Sequence, residues 1–340
     1  MQARRPGGGA RPGRIQPGGR GPIFLAAALL CAALQAIAAP YQPQQQVSGD
    51  IRIWGSPEDG DLVKLWDDGF RKLQPQARVV AKLHGPESSM AGIYTGVADV
   101  AFVGRELRLP TDNMAFQWVK LYRPTTVEVA NAGFRAARSA AGLGVFVHPD
   151  NPIEGLTLAQ LDAIFGAEHK RGPANARTWG DLGLTGEWAT RAIHVLAPPV
   201  TTIPALFFRK VVLDDSFKWN VDMKEVADDT KTVDAVARDP AAIAYAPMVA
   251  ATVAVRALPL ANARGPFVKP TDESAANRSY PLNRVVIVAV DRAVGKPLDP
   301  RVREFLRYVL SDEGQAALAK DGAYIALQPA TARKQLKRLD

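Results

Sequence analysis

Apolar residues along this chain occur in two patterns, as short continuous runs and at helical spacing among polar residues. Residues 143–165 show both patterns. The run from Leu143 to Val147 is nearly unbroken, which predicts a strand buried on both faces. Two prolines end that run. Thr157 then forms a T-x-x-Q capping pattern with Gln160, ahead of apolar residues at helical spacing. Strand, turn and capped helix together predict a βα unit of an α/β protein.

The N-terminal part of the chain repeats this alternation. Residues 51–54 and 77–83 are predicted strands, an amphipathic helix over 62–70 separates them, and a third apolar strand follows at 97–103. Strands that alternate with helices predict a parallel sheet, whose ligands bind at the carboxyl ends of its strands. Those ends are at Gly55-Ser56, Gly85 to Ser89 and Gly104-Arg105.

The later part of the chain continues the pattern with one irregular stretch. Residues 111–140 are less regular, with a strand predicted at 127–134, and apolar runs at 192–196, 243–245 and 285–290 predict further strands. Asp299-Pro300 is a typical helix start. The sequence therefore predicts an α/β fold of mixed or parallel sheets with helices on both faces. Its length favours two compact units.

Residues 1–38 are typical of a cleavable signal peptide and predict a periplasmic location. A basic leader precedes an apolar run that is shorter than the ~20 residues of a membrane span, and Ala36-Ile37-Ala38 forms a cleavage site. Cys31, the only cysteine, lies within that run after Leu30. Since a lipoprotein cysteine follows a small residue, we expect neither a lipid anchor nor a disulfide in the mature chain.

The charge of the chain lies largely in that leader. The formal net charge is +8, but five of the 42 basic residues precede residue 21, and the remaining 37 nearly balance the 34 acidic ones. No basic run with interleaved aromatic residues remains, so the sequence argues against nucleic acid as a partner.

Motifs of enzymes and of metal sites are absent from the sequence. It contains no G-x-S-x-G elbow, P-loop, H-E-x-x-H or G-x-G-x-x-G pattern. The four histidines are scattered, and none is spaced from another ligand as metal ligands on one helix would be. We therefore expect no catalytic residue, no cofactor and no metal.

Hydroxyl residues stand at three predicted junctions between a strand or loop and a helix. Free backbone N–H groups and the positive end of the helix dipole make such junctions suitable for an oxyanion, although Ser and Thr there can equally be plain N-caps. Arg105, at the end of a predicted strand, could supply a countercharge. The candidate ligand-binding residues are Ser56, Ser88, Ser89, Arg105, Thr201 and Thr202.

Several segments resemble the phosphate-binding proteins of bacterial ABC importers. The segment VFVHPDNPIEGLTLAQLDAIF, followed by TWGDLG, resembles that family's N-P-x-N-P turn, its L-T-x-x-Q-L-x-x-I-F helix and its N-W-x-x-L-G. Other segments that resemble the family lie along the chain in the family's order. They are IWGS, TGVADVAFVGREL, AIAYAP, YPLNR and the segment at 302–327. The resemblance implies a two-lobe periplasmic binding protein with a ligand cleft between the lobes. It also implies that lobe 1 comprises residues 48–125 and 284–340, and lobe 2 residues 126–283.

The resemblance implies a function as well. An exported solute-binding protein of this type captures phosphate, or a similar small anion, and delivers it as a monomer to an ABC importer permease. The loops depart from the family pattern: the second-lobe loop lacks the glycine of S-G-T, and Pro57-Glu58-Asp59 follows Ser56. Another oxyanion or a small carboxylate therefore stays open as the ligand. So does a periplasmic scaffold or sensor with a degenerate site.

Two of the additional acids have a possible role of their own. A carboxylate can accept the proton of HPO₄²⁻, whereas sulfate at neutral pH has none to donate. Glu58 and Glu87 are the candidate proton acceptors, and replacing either with glutamine is expected to admit sulfate. Both acids could instead be solvated residues that stabilise the first turn of their helices.

Overall fold

A computed structural model of the protein describes residues 39–108, 111–135, 140–172, 174–263 and 265–340. The predicted signal peptide lies outside these residues. The strands are β1 Gly49–Gly55, β2 Ala77–Leu83, β3 Val100–Phe102, β4 Thr125–Ala132, β5 Leu143–Val147, β6 Leu156–Thr157, β7 His194–Ala197, β8 Lys224–Glu225, β9 Ala242–Pro247, β10 Arg256–Ala257, β11 Leu260–Ala261, β12 Val285–Val290 and β13 Tyr324–Ile325. The helices are α1 Gly60–Phe70, α2 Pro86–Tyr94, α3 Thr111–Lys120, α4 Leu158–Phe165, α5 Ile203–Val212, α6 Asp229–Ala237, α7 Asp272–Ala276, α8 Pro300–Val309, α9 Asp312–Asp321 and α10 Pro329–Leu336.

The first lobe is built on a six-stranded sheet in the order β13-β4-β12-β3-β1-β2. The three strands predicted to be parallel are so: Ile53 of β1 lies opposite Ala81 of β2 and Val100 of β3. Strand β12 returns antiparallel between β3 and β4. Buried residues of α1, α8 and α9 pack on one face of this sheet, and those of α2 and α3 pack on the other.

The second lobe is built on a five-stranded sheet in the order β10-β5-β9-β7-β8. Its central strand β9 is buried along its whole length, antiparallel to β5 and parallel to β7. Helices α4 and α5 cover one face, where Phe165 of α4 packs edge-on against Phe208 of α5 at 5.1 Å between ring centroids. Helix α6 covers the other face. The predicted α/β class with helices on both faces is confirmed.

The chain passes from the first lobe to the second after β4 and returns ahead of β12. All eight residues of β4 precede this passage, and they pair with β12 and β13 in the six-stranded sheet. The boundary predicted at residue 126 therefore falls inside β4, while the return predicted at residue 284 falls at the residue before β12.

Helix α3 lies in the stretch where the sequence showed no clear period. Only one of its apolar residues, Phe116, is buried, together with the polar Asp112 and Asn113. Met114, Trp118 and Val119 are exposed, so the apolar stripe that would predict a helix is absent. Across the part of the chain that the structure describes, none of the helices has the length and apolarity needed to cross a membrane.

Candidate functional site

A cleft of about 270 Å³ lies between the lobes, at the ends of the strands where the sequence placed a ligand. We call it the arginine cleft, because Arg105 and Arg284 form part of its wall. Helices contribute their first turns: Pro86 of α2 from the first lobe, and Ile203, Pro204 and Asp229 of α5 and α6 from the second. The remaining lining residues are Glu58, Ala141, Pro247 and Val249.

Arg105 stands three residues beyond the end of β3 and is only 1% exposed. Gly104 adopts a φ of 69°, a left-handed conformation that suits glycine and turns the chain after the strand. The Arg105 Nη1 group donates to Asp112 Oδ2 at 2.6 Å and to the Glu106 carbonyl at 2.9 Å. Its buried Nε has no hydrogen-bond partner among the described residues. One donor of this buried cation is thus not used by the described residues.

Asp112 and Arg108 extend the network around Arg105. Arg108 Nη2 donates to Asp112 Oδ1 at 2.9 Å and also pairs with Glu87. Burial by itself raises the pKa of the Asp112 carboxyl, but hydrogen bonds from Arg105 and Arg108 outweigh that effect and hold its pKa below the ordinary value. The carboxylate is therefore ionised at neutral pH and fixes both guanidinium groups.

Arg284 directly precedes β12 and is 2% exposed. Its Nη2 donates to Glu106 Oε1 at 2.7 Å, and its Nη1 donates to the Ala141 carbonyl at 3.3 Å. The guanidinium carbon lies 4.9 Å from the centroid of the Phe207 ring of α5. Arg284 thus joins the first lobe, the passage between the lobes and the second lobe.

The acids near the arginine cleft have different environments. Glu58 lines the cleft. Glu87 is absent from the lining, its side chain is 62% exposed, and it pairs with Arg108 and, at 3.5 Å, with Arg105. Asp229 of α6 lines the cleft from the second lobe, and burial together with the neighbouring charge of Asp228 raises its pKa. The lining therefore combines two guanidinium groups with two carboxyl groups.

The predicted hydroxyl residues lie at the starts of the expected helices, but most hydrogen-bond to their own turns. Ser88 donates to the Gly85 carbonyl at 2.7 Å, and Ser89 donates to the Pro86 carbonyl at 2.6 Å. Thr202 likewise donates to Pro199 at 2.8 Å. Ser56 is buried, whereas Thr201 is exposed.

Sequence analysis missed Arg284, Glu106, Asp112 and Asp229. Arg284 lies in YPLNR, a segment that carried the family resemblance, so that segment was the signal available for it. Asp112 lies in the helix that the periodicity did not reveal. Within the described ranges, no group of three or more His, Cys, Asp or Glu side chains is arranged to hold a metal ion.

Comparisons with known proteins agree with this architecture. The family profile of the PBP superfamily domain matches residues 40–313. The phosphate-binding protein PstS of Pseudomonas aeruginosa is 33% identical over 316 residues, which cover 92% of this chain and 94% of that protein. This chain belongs to the PstS family. The PstS of Staphylococcus epidermidis is 28% identical over 204 residues, or 58% of each chain.

Solved structures share the fold of this PstS-family chain. An ABC-type phosphate transport receptor from Vibrio cholerae superposes with a TM-score of 0.54 at 18% identity, covering 81% of this chain and 99% of the other. PstS from Borrelia burgdorferi superposes with a TM-score of 0.56 at 15% identity, covering 82% and 99%. The predicted family and two-lobe fold are confirmed. Membership of the PstS family also confirms that the chain is not an enzyme, because the relatives it matches are phosphate-binding proteins.

Proposed function

We propose that this PstS-family protein is exported to the periplasm, binds inorganic phosphate in the arginine cleft and delivers it to the permease of an ABC importer as a monomer. One observation carries the proposal: two buried guanidinium groups, those of Arg105 and Arg284, form the wall of a single cleft between the lobes. Residues 1–38 would serve as the cleaved signal peptide.

The surroundings of the two arginines favour a small oxyanion. Helices α2, α5 and α6 each begin at the cleft, and free N–H groups at a helix start attract anions. Guanidinium groups match the geometry of phosphate oxygens, and the free Nε of Arg105 adds a donor. The hydroxyl groups of Ser56, Ser88, Ser89, Thr201 and Thr202 can donate to the same anion, and those of Ser88, Ser89 and Thr202 must first turn from the carbonyls that they contact.

Glu58 is the acid best placed to accept the proton of HPO₄²⁻. It lines the arginine cleft, whereas Glu87 lies outside the lining and already pairs with two arginines. A carboxylate can only accept hydrogen bonds, so it attracts an anion that carries a proton and repels one that does not. We therefore assign the discrimination between phosphate and sulfate to Glu58.

Calorimetric titration with phosphate and with sulfate tests this function. The mature wild-type chain is expected to bind phosphate and to reject sulfate. In Glu58→Gln, sulfate binding should appear, and phosphate binding should weaken by less than about tenfold, since the lost interaction is a single hydrogen bond of about 1 kcal/mol. Glu87→Gln is the matched control, and its ratio of phosphate to sulfate affinity should stay at the wild-type value.

Two results would contradict these assignments separately. An unchanged selectivity in Glu58→Gln would remove Glu58 as the proton acceptor and leave phosphate binding intact. A wild-type chain that binds neither anion would reject the phosphate function. It would favour a scaffold or sensor whose arginines serve only their own acidic partners.

A further inference from the structure

Asp229 is the carboxyl group that the second lobe contributes to the arginine cleft. It is the first residue of α6, it is half-buried, and it lines the same cleft as Glu58 of the first lobe. Among the described residues, its carboxyl group has no partner in a hydrogen bond or an ion pair. An anion in the cleft therefore meets two carboxyl groups, one from each lobe, and the second of them is not engaged by the protein.

The surroundings of Asp229 favour its neutral form. Lys231 N donates to Asp228 Oδ1 at 2.7 Å, and the Lys231 ammonium lies 3.2 Å from Asp228 Oδ2. These hydrogen bonds hold the pKa of Asp228 below its ordinary value, so its carboxylate is charged at neutral pH. Burial and this neighbouring charge both raise the pKa of Asp229. A bound dianion brings further negative charge to Asp229 and raises its pKa again.

The other titratable groups around α6 are engaged elsewhere. Glu225 of β8 accepts a hydrogen bond from Val200 N at 3.1 Å. His194 of β7 lies 2.6 Å from Asp239, beyond the opposite end of α6. Tyr245 of β9 is fully buried, and burial together with two nearby carboxylates raises the pKa of its hydroxyl, which keeps its proton. The two arginines of the cleft wall already pair with carboxylates of the first lobe.

We propose that the Asp229 carboxyl takes up a proton from solvent when phosphate binds in the arginine cleft, and that it donates a hydrogen bond to the anion in this neutral form. This inference rests on the proposed phosphate function. The two carboxyl groups then have opposite roles, because Glu58 accepts the proton of HPO₄²⁻ and Asp229 donates to another oxygen. A neutral carboxyl group can donate to any oxyanion, so discrimination against sulfate stays with Glu58.

Proton uptake makes the affinity depend on pH. In alkaline solution the free ligand is HPO₄²⁻ and Asp229 of the empty cleft is ionised, so the complex holds one proton more than its separate parts. By linkage, the affinity for phosphate should fall about tenfold for each unit by which the pH rises. Asp229→Asn supplies an N–H donor of similar shape that cannot take up a proton, so its affinity should stay constant over the same range.

Titration calorimetry of the mature chain with inorganic phosphate tests the proposal. Runs between about pH 8 and pH 9, where lysine and tyrosine keep their protons, are repeated in buffers of different ionisation enthalpy to count the protons bound. Wild type should take up about one proton per phosphate, and Asp229→Asn about none. Asp234→Asn is the matched control: Asp234 lies on α6 but does not line the cleft, and its loss should leave the wild-type proton count unchanged.

Three results would overturn the inference, and they are distinguishable. If wild type binds phosphate without proton uptake, Asp229 keeps its charge, and the proposed phosphate function stands; this measurement does not depend on any variant. If Asp229→Asn takes up as many protons as wild type, another group receives the proton. If wild type binds no phosphate at all, the phosphate function is wrong, and the inference that rests on it is wrong with it.

Discussion

Asp112 shows how a single residue sets the charge of the candidate site. Its side chain is 5% exposed and accepts hydrogen bonds from Arg105 and Arg108. Without it, two cations at the edge of the cleft would have Glu87, a mostly exposed side chain, as their carboxylate partner. A buried charge that loses its partner is costly, so Asp112 allows the site to hold Arg105 before any ligand arrives.

Replacing Asp112 with asparagine should therefore destabilise the protein at neutral pH. We expect Asp112→Asn to lower the free energy of unfolding by about 3 kcal/mol, because it leaves buried cations incompletely compensated. Asp68→Asn is the control: Asp68 pairs with Lys64 on the exposed face of α1, and its loss should leave the stability close to that of wild type. Urea denaturation measures both. Equal stabilities of the two variants would show that Asp112 does not stabilise the native state.

The same variant should lose its effect in acid. The pKa of Asp112 is lowered in the folded state, so its contribution is fully present above the ordinary aspartate value of about 3.9 and is lost as the pH falls through the folded value. The difference in unfolding free energy between wild type and Asp112→Asn should therefore shrink below about pH 4. A constant difference from neutral to strongly acidic pH would mean that ionisation of Asp112 is not its cause.

At the scale of a single element, α4 begins at a capping box that the sequence predicted, and it packs against α5, a helix that begins at the cleft. Its cap has both halves of a capping box: Gln160 N donates to Thr157 Oγ1 at 3.1 Å, and Thr157 N donates to Gln160 Oε1 at 2.9 Å. The helix ends at Phe165, whose ring contacts Phe208 of α5 and Tyr245 of β9. Because α5 begins at the cleft, the packing of α4 supports the wall that Ile203 and Pro204 form.

Removing the cap should weaken the second lobe without changing the ligand site. We expect Thr157→Ala to lower the free energy of unfolding by about 1 kcal/mol, since one backbone donor loses its acceptor. Thr157→Ser keeps the oxygen and should stay within a few tenths of a kcal/mol of wild type. Chemical denaturation compares the three proteins, and calorimetry should find their phosphate affinities equal. If the alanine and serine variants were equally stable, the side-chain cap would not contribute.

For the molecule as a whole, the arginine cleft is a boundary between two separately built cores. Each lobe has its own sheet with helices on both faces, and the cleft wall takes residues from both lobes. Arg284 stands where the chain returns to the first lobe and contacts Phe207 of the second. An anion that draws donors from both lobes would stabilise a closed arrangement through a hinge movement.

Phosphate binding should therefore be visible in shape and in stability. Under the proposed function, saturating phosphate should reduce the radius of gyration in X-ray scattering and raise the melting temperature. At a hundredfold excess over Kd, linkage gives about 2.7 kcal/mol of added stability. Sulfate at the same ionic strength is the control and should change neither quantity. Scattering curves that superimpose with and without phosphate would contradict closure.

Local patterns determined much of this protein. The βα unit at 143–165 was predicted because an apolar run, a capping box and helical spacing are properties of neighbouring residues. The parallel order of β1, β2 and β3 was predicted from strands that alternate with helices, and the family resemblance rested on short segments such as IWGS and TGVADVAFVGREL. The strand ends that carry Arg105, Ser56 and Ser89 were likewise predictable, because alternating strands and helices bring those ends to one edge of a sheet.

Tertiary structure alone decided which residues share the candidate site. Glu58 and Glu87 both stand in the first turn after a strand, yet Glu58 lines the cleft, whereas Glu87 is absent from its lining and pairs with Arg105 and Arg108. The local sequence around the two acids is too similar to separate them. Arg284 meets Glu106 across 178 positions of chain, a distance at which no periodicity carries information. Such pairings depend on how two sheets and their helices pack, and that is settled by burial in three dimensions.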